Sequence, residues 1–320
     1  MSTIINQPLC AQNYGNTGFG DCVLEPGKIV GGFQVPSNFQ IGPSDVGALQ
    51  TFLQNKVLAS IGTRIFPYHN WKSVTDNTED VNITTTDYGA KYITREGFYD
   101  FTFRYFAGGV LLHQDLRKNA GSGKYFIFYD DAGNLFARTT KIGGQNYLKG
   151  IPVDVFYVKP WRFNTGADAA IYELRFIIDP QYLANSLGYY ANGSTFNFID
   201  VVGIQELDLV LDSLASNVAK IHIYTKISKV DLHPVYGNAL SNVAYWKATK
   251  RSDGSNIPIT SIAEDGANHD YTFTFNSATV SGMAATDAIY LQSANASVLA
   301  AAGISPYEAH EGLYIELPGS

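Results

Sequence analysis

Charge is scarce in this 320-residue chain: Asp, Glu, Lys and Arg together make up 16%, against about a quarter in an average soluble domain. What charge there is leans acidic, with 22 Lys and Arg against 29 Asp and Glu for a net −7. No basic run interrupts that balance, which argues against a duplex-DNA binder working through Lys and Arg. It suits a surface that nucleic acid passes without sticking. Cysteine occurs twice, at Cys10 and Cys22, too few for a structural zinc site unless histidines join them. A reducing cytoplasm would keep both as thiols; a disulfide is the alternative after release from the cell. Long apolar runs are missing as well. Met1 to Cys10 has no basic region and no continuous apolar stretch, so no signal peptide is expected, and no segment is long enough to span a bilayer. Without secretion, Asn82-Ile83-Thr84, Asn192-Gly193-Ser194 and Asn295-Ala296-Ser297 carry no weight as glycosylation patterns.

Aromatic residues are abundant instead, with 21 Tyr and 19 Phe beside 2 Met. They recur on a period of two. Phe98-Tyr99-Asp100-Phe101-Thr102-Phe103-Arg104-Tyr105-Phe106 is the densest case, and Lys124–Tyr129, Val153–Val158 and Ile171–Ile178 repeat it. Large side chains in alternation belong on pleated, half-buried sheets. The expected fold is therefore mainly β: a β-sandwich with one or two flanking helices, followed by a smaller C-terminal β-sandwich. Low charge density suggests a surface partly covered by other subunits; an all-β protein with neutral loops is the plainer alternative.

Along the chain, residues 1–27 predict an irregular arm, either disordered or held by a neighbouring chain. Residues 28–230 predict the main β-sandwich, 231–242 a linker marked by Pro, Gly and Asn, and 243–320 a small immunoglobulin-like domain of short strands. Within the main domain, Asp45–Leu58 has Val46, Leu49, Leu53 and Val57 at helical spacing, with Ser44 or Asp45 as cap. Gly108–Lys118 predicts a second helix led by Val110, Leu111 and Leu112, and Pro180 opens a third that runs to Leu187. Asp130-Asp131-Ala132-Gly133-Asn134 is the tip of a hairpin. Lys141–Gly150 predicts turns, and Phe196–Val202, Gln205–Leu211 and Ala219–Val230 predict strands. In the last, Ile221, Ile223, Thr225 and Ile227 share the buried face.

Chemistry is hard to find. His69, His113, His222, His233, His269 and His310 never fall three to five residues apart, so each is expected as a surface or strand residue rather than a metal ligand. Asn119–Tyr125 is a poor phosphate loop: Lys118 replaces the leading Gly and Tyr125 the Ser or Thr that would hold magnesium. A Gly-rich lead into a strand accounts for it better. No Gly-x-Ser-x-Gly elbow is present. Asp76, Glu79 and Asp80 could bind calcium, and Asp130 and Asp131 point at water from a hairpin tip; neither group has the spacing of a calcium loop, which favours solvated turns. Trp71, Trp161 and Trp246 are too scattered for a carbohydrate platform. No catalytic residue, cofactor or metal site is expected, and the chain is not expected to be an enzyme.

Resemblance offers more. Cys10–Cys22, with its Asn16-Thr17-Gly18 and the following strand that ends in Val35-Pro36, resembles the opening of structural proteins from tailed phages of Bacteroidetes hosts. Trp71–Val81, Arg95-Glu96-Gly97 with the aromatic strand, and Phe126–Asn134 are similar to the same proteins. Among these, the chain most resembles a tail tube protein with an added immunoglobulin-like domain. That resemblance implies hexameric rings stacked into a conduit for DNA, in a virion made in the host cytoplasm. Its partners would be copies of itself, other virion proteins and DNA in transit, with no membrane. It implies no catalytic residues. A capsid or head-surface protein is the alternative (a trimeric double jelly-roll coat, a decoration protein or a fibre), and a glycan-binding adhesin or a cryptic hydrolase stands further off.

Overall fold

The computed structural model describes residues 4–6, 27–105, 109–163, 171–184, 186–191, 197–284, 286–304 and 306–317. Strands take 46% of the chain and helices 20%, so the fold is mainly β. It divides into two units, residues 1–57 with 61–202, and residues 58–60 with 203–320. Cys10, Cys22 and nearly all of the expected arm lie outside the described residues; the exceptions are a short strand, Ile4–Asn6, and Gly27.

In the first unit the alternating aromatics form the core. One antiparallel sheet has the order Val155–Val158, Tyr172–Ile178, Tyr99–Tyr105, Ser73–Asp76. Phe103 stands opposite Leu174 and Phe101 opposite Phe176, and opposed residues share a face. A nine-stranded sheet packs over that face. Its main path runs Ile4–Asn6, Leu187–Ala191, Asn134–Ile142, Lys124–Asp130, Ile29–Val35, Phe66–Tyr68. From it, Phe126, Phe128 and Phe136 meet Phe103, Phe156 and Phe176. Phe126 and Phe176 meet edge to face at 4.8 Å, and Trp71 stacks on Phe103 at 4.2 Å. Such ring pairs each contribute about 0.5–1.5 kcal/mol beyond the area they bury.

Helix Leu49–Val57 buries Leu49, Leu53 and Val57 as its spacing predicts. Asp45, however, does not cap it. Its carboxylate accepts from the Gly42 amide at 2.8 Å, closing the preceding turn, and a 3-10 turn, Val46–Ala48, leads into the helix. Helix Gly109–Asn119 buries His113 and Leu116, while Val110 and Leu111 are exposed. Its orientation is fixed by His113, whose Nε2 lies 2.8 Å from the Lys159 carbonyl. The third helix is shorter than expected, Pro180–Ala184, because Leu187 already belongs to a strand. The expected turns at 141–150 contain a strand, Gln145–Lys149, folded back on Asn134–Ile142. At Phe196–Val202, the described residues form a 3-10 turn, Phe198–Asp200, capped by Asn197. Phe198 and Val201 are buried there, so their apolar character imitates a strand.

The second unit is larger than its sequence suggests. Gln205–Ala215 and Val218–Thr225 pair with each other, and Val218–Thr225 pairs on with Asp270–Phe275. Both strands therefore belong to the C-terminal sandwich, and the boundary falls at 202/203. Their sheet has the order Ile259–Asp265, Asp270–Phe275, Val218–Thr225, Gln205–Ala215, Tyr307–Glu308. It packs on a second sheet, Asn256–Ile257, Trp246–Lys250, Ala288–Ser293, Leu313–Glu316. Nor is 231–242 a linker: Leu232 and Leu240 sit in that core, and the Trp246 indole donates to the Leu240 carbonyl at 2.8 Å. Pro, Gly and Asn here mark a tight wrap over the sandwich. The preceding strand stops at Thr225, whose hydroxyl accepts from the Val230 amide. Ile227 thereby leaves the buried face and is exposed.

Candidate assembly surface

Ser73–Asp76 and Tyr99–Tyr105 are neighbours in the four-stranded sheet, yet 22 residues separate them in the chain. That excursion is a two-stranded hairpin, Asn82–Thr85 paired with Lys91–Arg95. Its base is tied down. Asn77 donates its amide to the Asp100 carbonyl at 2.7 Å, and Glu79 to Phe98 at 3.2 Å. Arg95 pairs with Glu79 at 2.7 Å and lies over the Phe98 ring. Gly97 is required, since a Cβ there would stand 1.8 Å from the Glu79 carbonyl oxygen. At the tip, Gly89 takes φ +79°, a left-handed conformation that glycine adopts at no steric cost.

Beyond its base, none of the described residues buries the hairpin. Every residue from 79 to 96 is exposed. Ile83 and Ile93 are a cross-strand pair, with Ile93 65% exposed, Tyr92 59% and Tyr88 at the tip 100%. Val81 adds a further exposed apolar side chain. A lone two-stranded hairpin is marginally stable in water, and clustered exposed apolar side chains mark places where another surface docks. The hairpin fits that description.

The sheet behind it is stiffened by buried charge. On its outer side Glu173 is buried, with Arg104 Nε 2.7 Å from Oε1 and Lys159 Nζ 3.1 Å from Oε2. Burial alone would raise the Glu173 carboxyl, but hydrogen bonds and charge from Arg104 and Lys159 outweigh it and hold the group below its ordinary value. Arg175 grips buried Asp100 through Nε at 2.9 Å and a second nitrogen at 2.6 Å, which raises the guanidinium further. Two-point pairs of this kind fix geometry as well as charge.

The residues singled out for chemistry have structural roles. Glu79 is an ion-pair partner in the hairpin base, and Asp76 accepts from the Thr78 amide. Among the described residues no group of His, Cys, Asp and Glu is placed to hold a metal ion. Asp130 corrects its expected place at a solvated tip. It is buried and accepts from the Asn134 amide and side chain and from the Gly27 amide, at 2.8, 2.9 and 3.0 Å. The Gly-rich stretch is a helix exit: Gly121 bridges to Phe156, and Lys124 opens a strand. Trp71 and Trp246 are buried, as befits core rather than a glycan platform. Three histidines are also wholly or partly buried. His69 lies between the Tyr129 hydroxyl at 2.6 Å and the Val201 carbonyl at 2.8 Å, and burial lowers its pKa against the pull of that carbonyl. His113 is noted above. His233 is buried, stacked on His269 at 4.8 Å and 3.0 Å from Glu264, while His269 pairs with Asp231 at 2.8 Å. Contacts across 36 residues of chain leave no trace in local spacing.

No known protein family matches the chain, and neither does any curated protein or solved structure. Among the described residues, no helix is long and apolar enough to cross a membrane.

Proposed function

We propose that the chain is a structural subunit of a tailed-phage virion, whose first unit self-assembles into stacked rings as the tail tube that conducts DNA. The observation that carries this is the hairpin at 79–97, anchored at its base and exposing Val81, Ile83, Tyr88, Tyr92 and Ile93 among polar residues. A subunit that must reach its neighbour needs such an element; an enzyme or a monomeric binding domain gains only an aggregation hazard from it. The hairpin is one patch and its receptor a different one, so the contact is heterologous and propagates instead of closing as a twofold dimer. A flanked β-sandwich supports the reading, as does the net charge of −7, which repels DNA in transit. The second sandwich is on this view an appended immunoglobulin-like module.

Negative-stain images of the purified chain test the proposal. Hollow tubes or six-fold rings are expected. Trimers would point to a capsid coat, and stable monomers at high concentration would overturn self-assembly altogether.

A further inference from the structure

The outer side of the four-stranded sheet gathers positive charge from residues scattered through the sequence. Phe103, Leu174, Phe156 and Val158 turn inward to the core, so their neighbours Arg104, Glu173, Arg175, Val155 and Tyr157 turn outward. Arg175 stands between Tyr157 and Thr102 in one row. Lys159 and Arg104 flank Glu173 in the next, and Arg162 comes within 3.7 Å of the same carboxylate. The cations stand above the carboxylates: Arg162 and Arg175 are 67% and 43% exposed, whereas Glu173 and Asp100 beneath them are 3% and 8% exposed. The remaining carboxylate of these strands, Asp76, alternates to the opposite side, in register with Phe101. Four cations over two carboxylates leave an excess of positive charge here, on a chain whose net charge is −7.

The hairpin has the opposite character. Asp80, Asp87 and Glu96 are exposed on it beside Lys91, with Arg95 engaged by Glu79. Its apolar side chains have counterparts in Val155 and Tyr157, both exposed on the outer face. Dimensions agree as well. Hairpin strands of four and five residues run about 14–17 Å at about 3.4 Å per residue, and four strands are about 14 Å across at about 4.8 Å spacing. Every hairpin residue from 79 to 96 is exposed, so the hairpin does not lie on its own sheet.

We propose that this cationic outer face is the hairpin's receptor: the hairpin of one copy lies across Tyr157, Arg162 and Arg175 of a second copy. The inference rests on the self-assembly proposed above and names the surface through which it acts. Opposite charge on the two patches steers approach and fixes register, while the apolar side chains supply contact that excludes water. Like patches repel, hairpin from hairpin and face from face, so copies join head to tail. Salt weakens the steering, since the screening length falls from about 8 Å at about 0.15 M to about 3 Å at about 1 M.

Charge reversal in the full-length chain tests it. One variant carries Asp80→Lys, Asp87→Lys and Glu96→Lys on the hairpin; another carries Tyr157→Glu and Arg162→Glu on the face. All of these side chains are exposed, so both variants should unfold like the wild type. Each alone should lose assembly by roughly tenfold or more, because like charges then meet at the contact. An equimolar mixture should recover it, the reversed hairpin docking on the reversed face. A face variant that sediments like the wild type, while Ile83→Asp/Ile93→Asp stays monomeric, would overturn the receptor and leave the hairpin's role standing. A mixture that stays monomeric would overturn it too, as would retention of the wild type but not the face variant on duplex DNA, which would assign the face to phosphate. A wild type that never assembles overturns both readings.

Discussion

Two strands only three residues apart in the chain show how much covering decides. Lys91–Arg95 and Tyr99–Tyr105 both carry large apolar side chains, and both pair antiparallel with a neighbour. In Tyr99–Tyr105, Phe103 is wholly buried under Trp71, Phe128 and Phe176. In Lys91–Arg95, Tyr92 and Ile93 face water. Large apolar side chains thus build a core where a second sheet lies over them and stay exposed in the hairpin. On the proposed function, the exposed apolar side chains of the hairpin are the ones that a neighbouring subunit would cover.

The sharpest way to break the comparison is on the buried side. Phe103→Ala should cost about 3–5 kcal/mol, measured by denaturant unfolding; a loss below about 1 kcal/mol would mean that the ring is not the centre of the core. Glu173→Gln comes next, at about 2 kcal/mol, because it leaves Arg104 and Lys159 without their shared carboxylate. Its sign with pH is fixed by the lowered carboxyl. The stabilisation is present above the unfolded value of about 4.3 and is lost as pH falls through the folded value. Unfolding curves of the wild type and the Gln variant should therefore converge in acid.

His69 gives a smaller effect at milder pH. Burial lowers its pKa, so below about 6.5 the unfolded chain takes up the proton first and stability declines, by at most about 1.4 kcal/mol per pH unit. His69→Gln should flatten the stability profile between neutrality and mild acid; an unchanged slope would assign it to other groups. The smallest effect on folding is expected from the hairpin. Ile83→Asp with Ile93→Asp should leave unfolding within about 0.5 kcal/mol of the wild type, since neither side chain is buried.

The sheets were legible in the sequence because alternation of Phe and Tyr is a local signal: Tyr99–Tyr105, Lys124–Asp130 and Tyr172–Ile178 lie where the period places them. The helix at Leu49–Val57 was legible for the same reason. The domain boundary was not. Pro234, Gly237 and Asn238 read as a linker, but Leu232 and Leu240 on either side of them are buried in a core built by strands from 205 onward. Composition cannot tell a turn that leaves a domain from one that wraps it. Asp130 was misplaced similarly, as a carboxylate in a turn can face either water or the turn's own amides. The exposure of the hairpin strands left no local signal, because it depends on what packs over them and not on their own sequence.

The most direct test of the central claim is sedimentation velocity on the wild-type chain and the Ile83→Asp/Ile93→Asp variant at equal concentration. The account predicts large assemblies for the wild type and a folded monomer for the variant. Identical sedimentation of the two, whether both assemble or both remain monomers, would contradict it.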